Sequence, residues 1–237
     1  MQTADPGMGR SVRQMFTDIA SRYDLLNRLI TFGQDLGWRR DTVRQLELAA
    51  GDRVIDVGCG TGDMASEVLR QQPDATVFAC DFTPEMIRVG RQRRMPSGIF
   101  WLLADAEQLP FPPGAFAAAC SSFLLRNVQN VDTVLGEQNR VLREGGTIAM
   151  LDTSPGQTRW QAPFQAVHFR LLIPLLGWLL VRDASAYRYL PASTRAFLSP
   201  EELVNRLRKA GFSRLSYARR MFGSIALHGG AKKNQQG

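Results

Sequence analysis

The segment Val54-Ile55-Asp56-Val57-Gly58-Cys59-Gly60-Thr61-Gly62-Asp63 constrains this chain more than any other. Its short apolar run reads as a buried strand. Three glycines at alternate positions directly after it allow a tight turn that brings bare backbone N–H groups close to a ligand. A dinucleotide loop also follows a strand, but its G-x-G-x-x-G spacing seats a pyrophosphate on the next helix N-terminus. Here the spacing is G-x-G-x-G, and Asp56 stands near the strand end. A carboxylate there suits a ligand carrying an ammonium group.

Two further carboxylates continue the pattern. Asp81 ends the next apolar run, roughly 20 residues past the loop, where an acidic side chain accepts both hydroxyls of a ribose. Asp105-Ala106 follows the third run, where a carboxylate can accept from an adenine amine. A ligand with ammonium, ribose and adenine groups but no phosphate is S-adenosylmethionine. The expected cofactor site is therefore Asp56, Gly58, Gly60, Thr61, Gly62, Asp81, Asp105 and Ala106, with Ser122 at the end of the fourth strand.

The surrounding pattern is α/β. Residues 1–10 read as a flexible tail. Over 11–50, Phe16, Ile19, Tyr23, Leu25, Leu26, Leu29 and Ile30 recur at helical spacing, interrupted by Gly33 and Gly37. Strands are expected at 53–57, 76–80, 99–103, 117–121 and 147–151. Between them lie a helix at 63–70, one capped by Thr83 with Pro84 at its first position, and a stripe of Val131, Val134, Leu135, Gln138, Val141 and Leu142 stopped by Glu144-Gly145-Gly146. Crossovers of this length imply a mostly parallel sheet with helices on both faces. An aromatic, proline-bearing insertion at 155–197 breaks the rhythm. Ser199-Pro200-Glu201-Glu202 then forms a capping box for a helix ending at Gly211, and 214–219 with 222–228 reads as a closing antiparallel hairpin around Arg220-Met221. The sheet would have seven strands in a single domain, 11–237.

Composition narrows the function classes. With 237 residues, 44% hydrophobic and 22% charged, the chain is neither disordered nor a coiled coil. Three cysteines without CxxC spacing and two distant histidines, His168 and His228, argue against a disulfide framework or a metal site. The net charge of +7 favours anionic partners without naming one. Residues 1–13 have no apolar signal core, and the longest apolar run, 171–181, is well short of the ~20 residues a spanning helix needs. The expectation is a cytoplasmic protein, with the apolar stretch 164–181 admitting a polyprenyl tail and touching the membrane surface, or packing as a buried helix or homodimer contact.

From about Arg53 to Leu151 the chain resembles class I S-adenosylmethionine-dependent methyltransferases, with their Rossmann-like fold. Tyr23-Asp24-Leu25-Leu26-Asn27 with Trp38, Phe123-Leu124-Leu125-Arg126-Asn127, Arg140-Val141-Leu142-Arg143-Glu144-Gly145-Gly146 and Asp183-Ala184-Ser185-Ala186-Tyr187-Arg188-Tyr189-Leu190 resemble signatures of the ubiquinone/menaquinone biosynthesis C-methyltransferases. That resemblance implies a demethylated isoprenoid quinol, such as demethylmenaquinol, as acceptor. It makes Arg126 and Asn127 the catalytic candidates, Arg126 acting with water in deprotonating the ring hydroxyl, and places Tyr187, Arg188 and Tyr189 at the acceptor. The chain departs from that family at Asp35 (usually His), Leu124 (usually Gly), Glu144 (usually Pro) and Ser185 (usually acidic), and Thr153-Ser154-Pro155-Gly156 replaces a more usual Phe-Ser-Lys-Pro.

Three other readings compete. Methylation of another apolar small molecule keeps every motif. A cofactor-binding scaffold would keep the loop without needing Arg126. RNA methylation would suit the charge, but the Asn/Asp-Pro-Pro-Tyr motif of base amino-group methylation is not found after the fourth strand, so no nucleic acid is expected.

Overall fold

The computed structural model describes residues 6–155, 194 and 197–234, with side chains from residue 13 onward. Seven strands form one sheet in the order β3-β2-β1-β4-β5-β7-β6. These are β1 (Arg53–Val57), β2 (Thr76–Asp81), β3 (Ile99–Leu103), β4 (Phe116–Ser122), β5 (Leu142–Thr153), β6 (Phe212–Arg220) and β7 (Ile225–Lys232). β1 to β5 run parallel, while β7 is antiparallel to both β5 and β6, as the alternating pattern and the closing hairpin predict.

β1 sits at the centre because it is apolar on both faces, the hallmark of a strand covered by helices above and below. Val54 joins a core with Val68, Ala79 and Cys120, and Ile55 joins the opposite core with Phe116, Leu135 and Leu142. The α-helices among the described residues are α1 (Pro6–Ile19), α2 (Tyr23–Ile30), α3 (Gln34–Arg44), α4 (Asp63–Gln71), α5 (Pro84–Gln92), α6 (Val131–Val141) and α7 (Pro200–Lys209). The capping box at Ser199 is formed in both directions, and Gly211, after α7, has a φ of 95°.

Several boundaries differ from the sequence reading. α1 begins at Pro6, inside the stretch read as a tail, because proline presets the φ of a first helical residue. Gly33 does separate α2 from α3 with a φ of 73°, but Gly37 lies inside α3, whose neighbours Asp35, Trp38 and Arg39 are buried anchors. α6 stops at Val141 rather than at the glycines, since Leu142 is already extended and pairs with Phe116. β5 therefore starts five residues earlier than its apolar run suggests. The hairpin turn lies at Met221–Gly223, not Arg220-Met221.

Candidate active site

The carboxyl ends of β1, β2, β3 and β4 converge on one cleft, as parallel sheets arrange their ligand sites. Gly58, Gly60 and Gly62 all adopt positive φ (68°, 54° and 90°), so the loop demands residues without a Cβ. At Gly62 a Cβ would stand 2.4 Å from the Trp101 ring, and at Gly58 it would stand 2.6 Å from Leu124 Cδ1. The Cys59 N–H donates to the Cys80 carbonyl (2.9 Å), fastening the loop to β2.

A cavity of about 340 Å³ opens beside the loop, lined by Val57, Gly58, Asp81, Asp105, Ala106 and Leu124 among others. That size falls in the range of small-ligand clefts. A smaller lobe of about 40 Å³ continues under the N-terminal helices, where Phe16, Tyr23, Gly60, Met86 and Phe123 form its walls. Gly58, Asp81, Leu124 and Asn127 border both lobes.

Asp81 accepts N–H donation from Gly60 on Oδ2 and from Thr83 on Oδ1, each at 2.8 Å. Burial pushes its carboxyl up, and those amides pull against the rise. Asp105 is exposed at the cavity edge and accepts from the Glu107 N–H (2.9 Å). The structure thus brings Gly58, Gly60, Asp81, Asp105 and Ala106 together around one space.

Other expected residues have different places. Asp56 is fully buried behind the loop, where its Oδ2 accepts from the Ala65 N–H in the first turn of α4 (3.0 Å). The Cys120 thiol also hydrogen-bonds this carboxyl, and burial raises it to about 7. Thr61 is buried and donates to Asp24 Oδ1 (2.6 Å), holding α2 to the loop. Gly62 precedes α4, and Ser122 ends β4 opposite Leu151; neither borders the two lobes. Tyr187, Arg188 and Tyr189 lie outside the described residues.

Arg126 sits in the 3-10 turn Leu125–Asn127 after β4. It is buried, its guanidinium carbon 5.2 Å from the centre of the Phe123 ring and its Nη1 3.7 Å from Asp152 Oδ1. Its Nε and Nη1 have no hydrogen-bond acceptor among the described residues. Asp152 accepts from the Leu125 N–H (2.9 Å) and the Thr153 N–H (2.7 Å); burial pushes its carboxyl up and Arg126 partly opposes this. Beside them, burial raises the Tyr23 phenol, against the nearby Arg126 charge, so it stays a neutral donor. The Asn127 amide donates to the Phe123 carbonyl (2.7 Å).

The sequence reading missed Asp152, and it missed a charge network behind the loop. Asp35 is fully buried between Arg28 and Arg39, and Asp63 accepts from Arg28 (2.7 Å) and Arg93 (2.8 Å). Burial works upward on Asp63, yet Arg39, Arg28 and Arg93 together hold it below its ordinary value. Arg93 also pairs with Asp24 (3.0 Å), so α2, the loop and α5 share one set of ion pairs. The clue was present in the i, i+4 pair Asp35 and Arg39.

This cleft fits S-adenosylmethionine. Asp81 and Asp105 stand at the ends of β2 and β3 on its rim, and among the described residues no cluster of cations lines the helix-facing lobe as a pyrophosphate would require. No group of metal-ligating side chains occurs among the described residues.

Residues 5–232 match the model of the ubiE/COQ5 methyltransferase family. A ubiquinone/menaquinone biosynthesis C-methyltransferase of Desulfotalea psychrophila is 41% identical over 224 residues, covering 94% of this chain and 91% of that protein. A demethylmenaquinone methyltransferase of Thermus thermophilus is 41% identical over 218 residues, covering 91% and 99% respectively. Among solved structures, a phosphoethanolamine N-methyltransferase of Haemonchus contortus in complex with S-adenosyl-L-methionine shares the fold, with a TM-score of 0.62, 11% identity, and coverage of 83% of this chain and 52% of that one. The chain belongs to the ubiE/COQ5 methyltransferase family.

Proposed function

We propose that the protein methylates a ring carbon of a demethylated isoprenoid quinol, such as demethylmenaquinol, in quinone biosynthesis. The observation that carries the reading is Arg126: a guanidinium 8% exposed in the turn between the cleft-lining Leu124 and Asn127, with two nitrogens whose N–H groups lack acceptors among the described residues. Relatives at 41% identity that are named for this chemistry support it.

When bound, S-adenosylmethionine supplies a methyl on a positively charged sulfur, which departs with the electron pair as the new carbon–carbon bond forms. The chain's own part is to hold, exclude and donate. Loop backbone, Asp81 and Asp105 fix the donor, and alignment alone contributes several kcal/mol. Phe16, Tyr23 and Phe123 wall the inner lobe. Arg126 donates to the ring oxygen next to the reacting carbon and stabilises the phenolate that makes this carbon nucleophilic. The hydroxyl proton, and later the proton on the methylated carbon, pass to water.

Transfer of labelled methyl to demethylquinols, hydroxylated small molecules and RNA tests the reading. Arg126→Ala is expected to lower kcat by about 10²–10³, the usual loss for an oxyanion donor, with cofactor affinity within a few fold. Full turnover in that variant would remove Arg126 from the chemistry. One feature favours another apolar acceptor: the Leu124 side chain lies against Gly58 and narrows the passage between the lobes. The same panel separates the two acceptors.

A further inference from the structure

The outer side of the N-terminal helices carries a surface that the cleft does not use. Leu25 is 50% exposed, Leu29 38%, Phe32 67% and Leu36 49%. Leu25 and Leu29 stand four positions apart on one face of α2, Phe32 follows at the bend and Leu36 opens α3. Phe32 stands at the bend between the helices with a φ of 53°, and Gly33 follows at 73°. A bulky residue rarely takes that backbone, so the bend holds its ring outward at a conformational cost. The other side of α2 faces the cofactor loop, through Tyr23 against Gly60, Asp24 on Thr61 and Arg28 on Asp63.

Exposed cations border this stripe. Arg22 stands three positions before Leu25 and Arg40 four after Leu36, both exposed. Arg94 is exposed directly after Arg93, which itself pairs with Asp24 beside Leu25. Arg40 and Arg94 have no ion pair among the described residues. Of the nearby acids, Asp24 is engaged by Thr61 and Arg93, Asp35 by Arg28 and Arg39, and Asp41 by Arg44 and Arg220, while Asp18, exposed four positions before Arg22, accepts from Gln14. A contiguous apolar patch marks an interaction surface, and a rim of cations suits the boundary between acyl chains and anionic headgroups. A second copy meeting this face across a twofold axis would set like charges together, which disfavours self-association.

We propose that the Leu25, Leu29, Phe32 and Leu36 face docks on an anionic phospholipid surface, with Arg22, Arg40 and Arg94 against the headgroup phosphates. This deepens the quinol reading, because a water-insoluble acceptor resides in such a surface and α2 would stand between it and the cofactor loop. No helix among the described residues is long and apolar enough to cross a membrane, so the contact is a surface one.

Sedimentation of the full chain with vesicles of phosphatidylcholine, with and without phosphatidylglycerol, tests the proposal without any acceptor. Binding is expected only with phosphatidylglycerol and should weaken with salt. The pairs Leu25→Ser/Leu36→Ser and Arg40→Gln/Arg94→Gln should each reduce it at least about tenfold, with cofactor affinity unchanged as the sign of a folded protein. Binding by the leucine variant equal to that of the native chain overturns the proposal. So does absence of vesicle binding, including the case where the leucine pair instead dissolves a dimer seen by light scattering. Vesicle binding that persists while every quinol is refused supports the docking face and overturns the acceptor reading alone.

Discussion

In the proposed reading, Asp152 and Arg126 are a pair that carries both stability and chemistry. At 3.7 Å the two side chains compensate each other's charge without a hydrogen bond between them, and the guanidinium keeps two nitrogens without an acceptor among the described residues. Asp152→Asn leaves the cation buried and uncompensated, a situation that typically costs about 3–5 kcal/mol. For a chain of this size that corresponds to a fall in Tm of roughly 6–20 °C, since each kcal/mol moves it by ~2–4 °C. Calorimetry of Asp152→Asn against Asp152→Asn/Arg126→Met checks this: the double variant should regain most of the stability and no turnover. Equal melting of all three proteins would show the pair to be energetically idle. Arg126 was legible because it belongs to a motif directly after a strand. Asp152 was not, since it follows an apolar run that ends at Leu151, and no local spacing relates position 152 to 126.

At the level of elements, β1, β2 and β3 were readable to within a residue because each is an apolar run bounded by glycine, proline or aspartate. The start of β5 was not readable, because Arg143-Glu144-Gly145-Gly146 looks like a helix stop, and only pairing with Phe116 makes it strand. The attachment of α2 was also hidden, because its contacts reach tens of residues ahead, to Thr61, Asp63 and Arg93. Arg93 is the keystone, donating to Thr61 (3.1 Å) and pairing with Asp24 and Asp63. Arg93→Gln should accelerate hydrogen exchange across 23–30 while leaving β1 and β2 protected, and should raise the cofactor Kd roughly three- to tenfold, or about 0.7–1.4 kcal/mol. Unchanged exchange in α2 would contradict the latch.

Among the groups that shape the pH response of the whole molecule, two buried ones act with opposite sign. Asp56 rises from 3.8 to about 7 on folding, so its contribution to stability is fully present below pH 4 and is lost as pH climbs through 7. A lift of that size is worth on the order of 4 kcal/mol. His228, buried between Pro200 and Tyr217, falls from 6.5 to about 4; its contribution is present above pH 6.5 and is lost as pH drops through 4. Between pH 4 and 6.5 the two oppose each other. Urea unfolding across that window should therefore show, relative to the native chain, a stability that rises more with pH in Asp56→Asn and less with pH in His228→Gln, and curves parallel to the native one would refute both assignments. Phe123 connects the N-terminal helices to the turn after β4, its ring having the Arg39 guanidinium 5.6 Å from its centre and that of Arg126 at 5.2 Å. Arg39 is anchored to Asp35 in α3, so this one benzene ring is a shared bearing between the N-terminal helices and the arginine assigned to the chemistry. A substitution at position 35, remote in sequence, would then register as slowed turnover as well as a lower melting point.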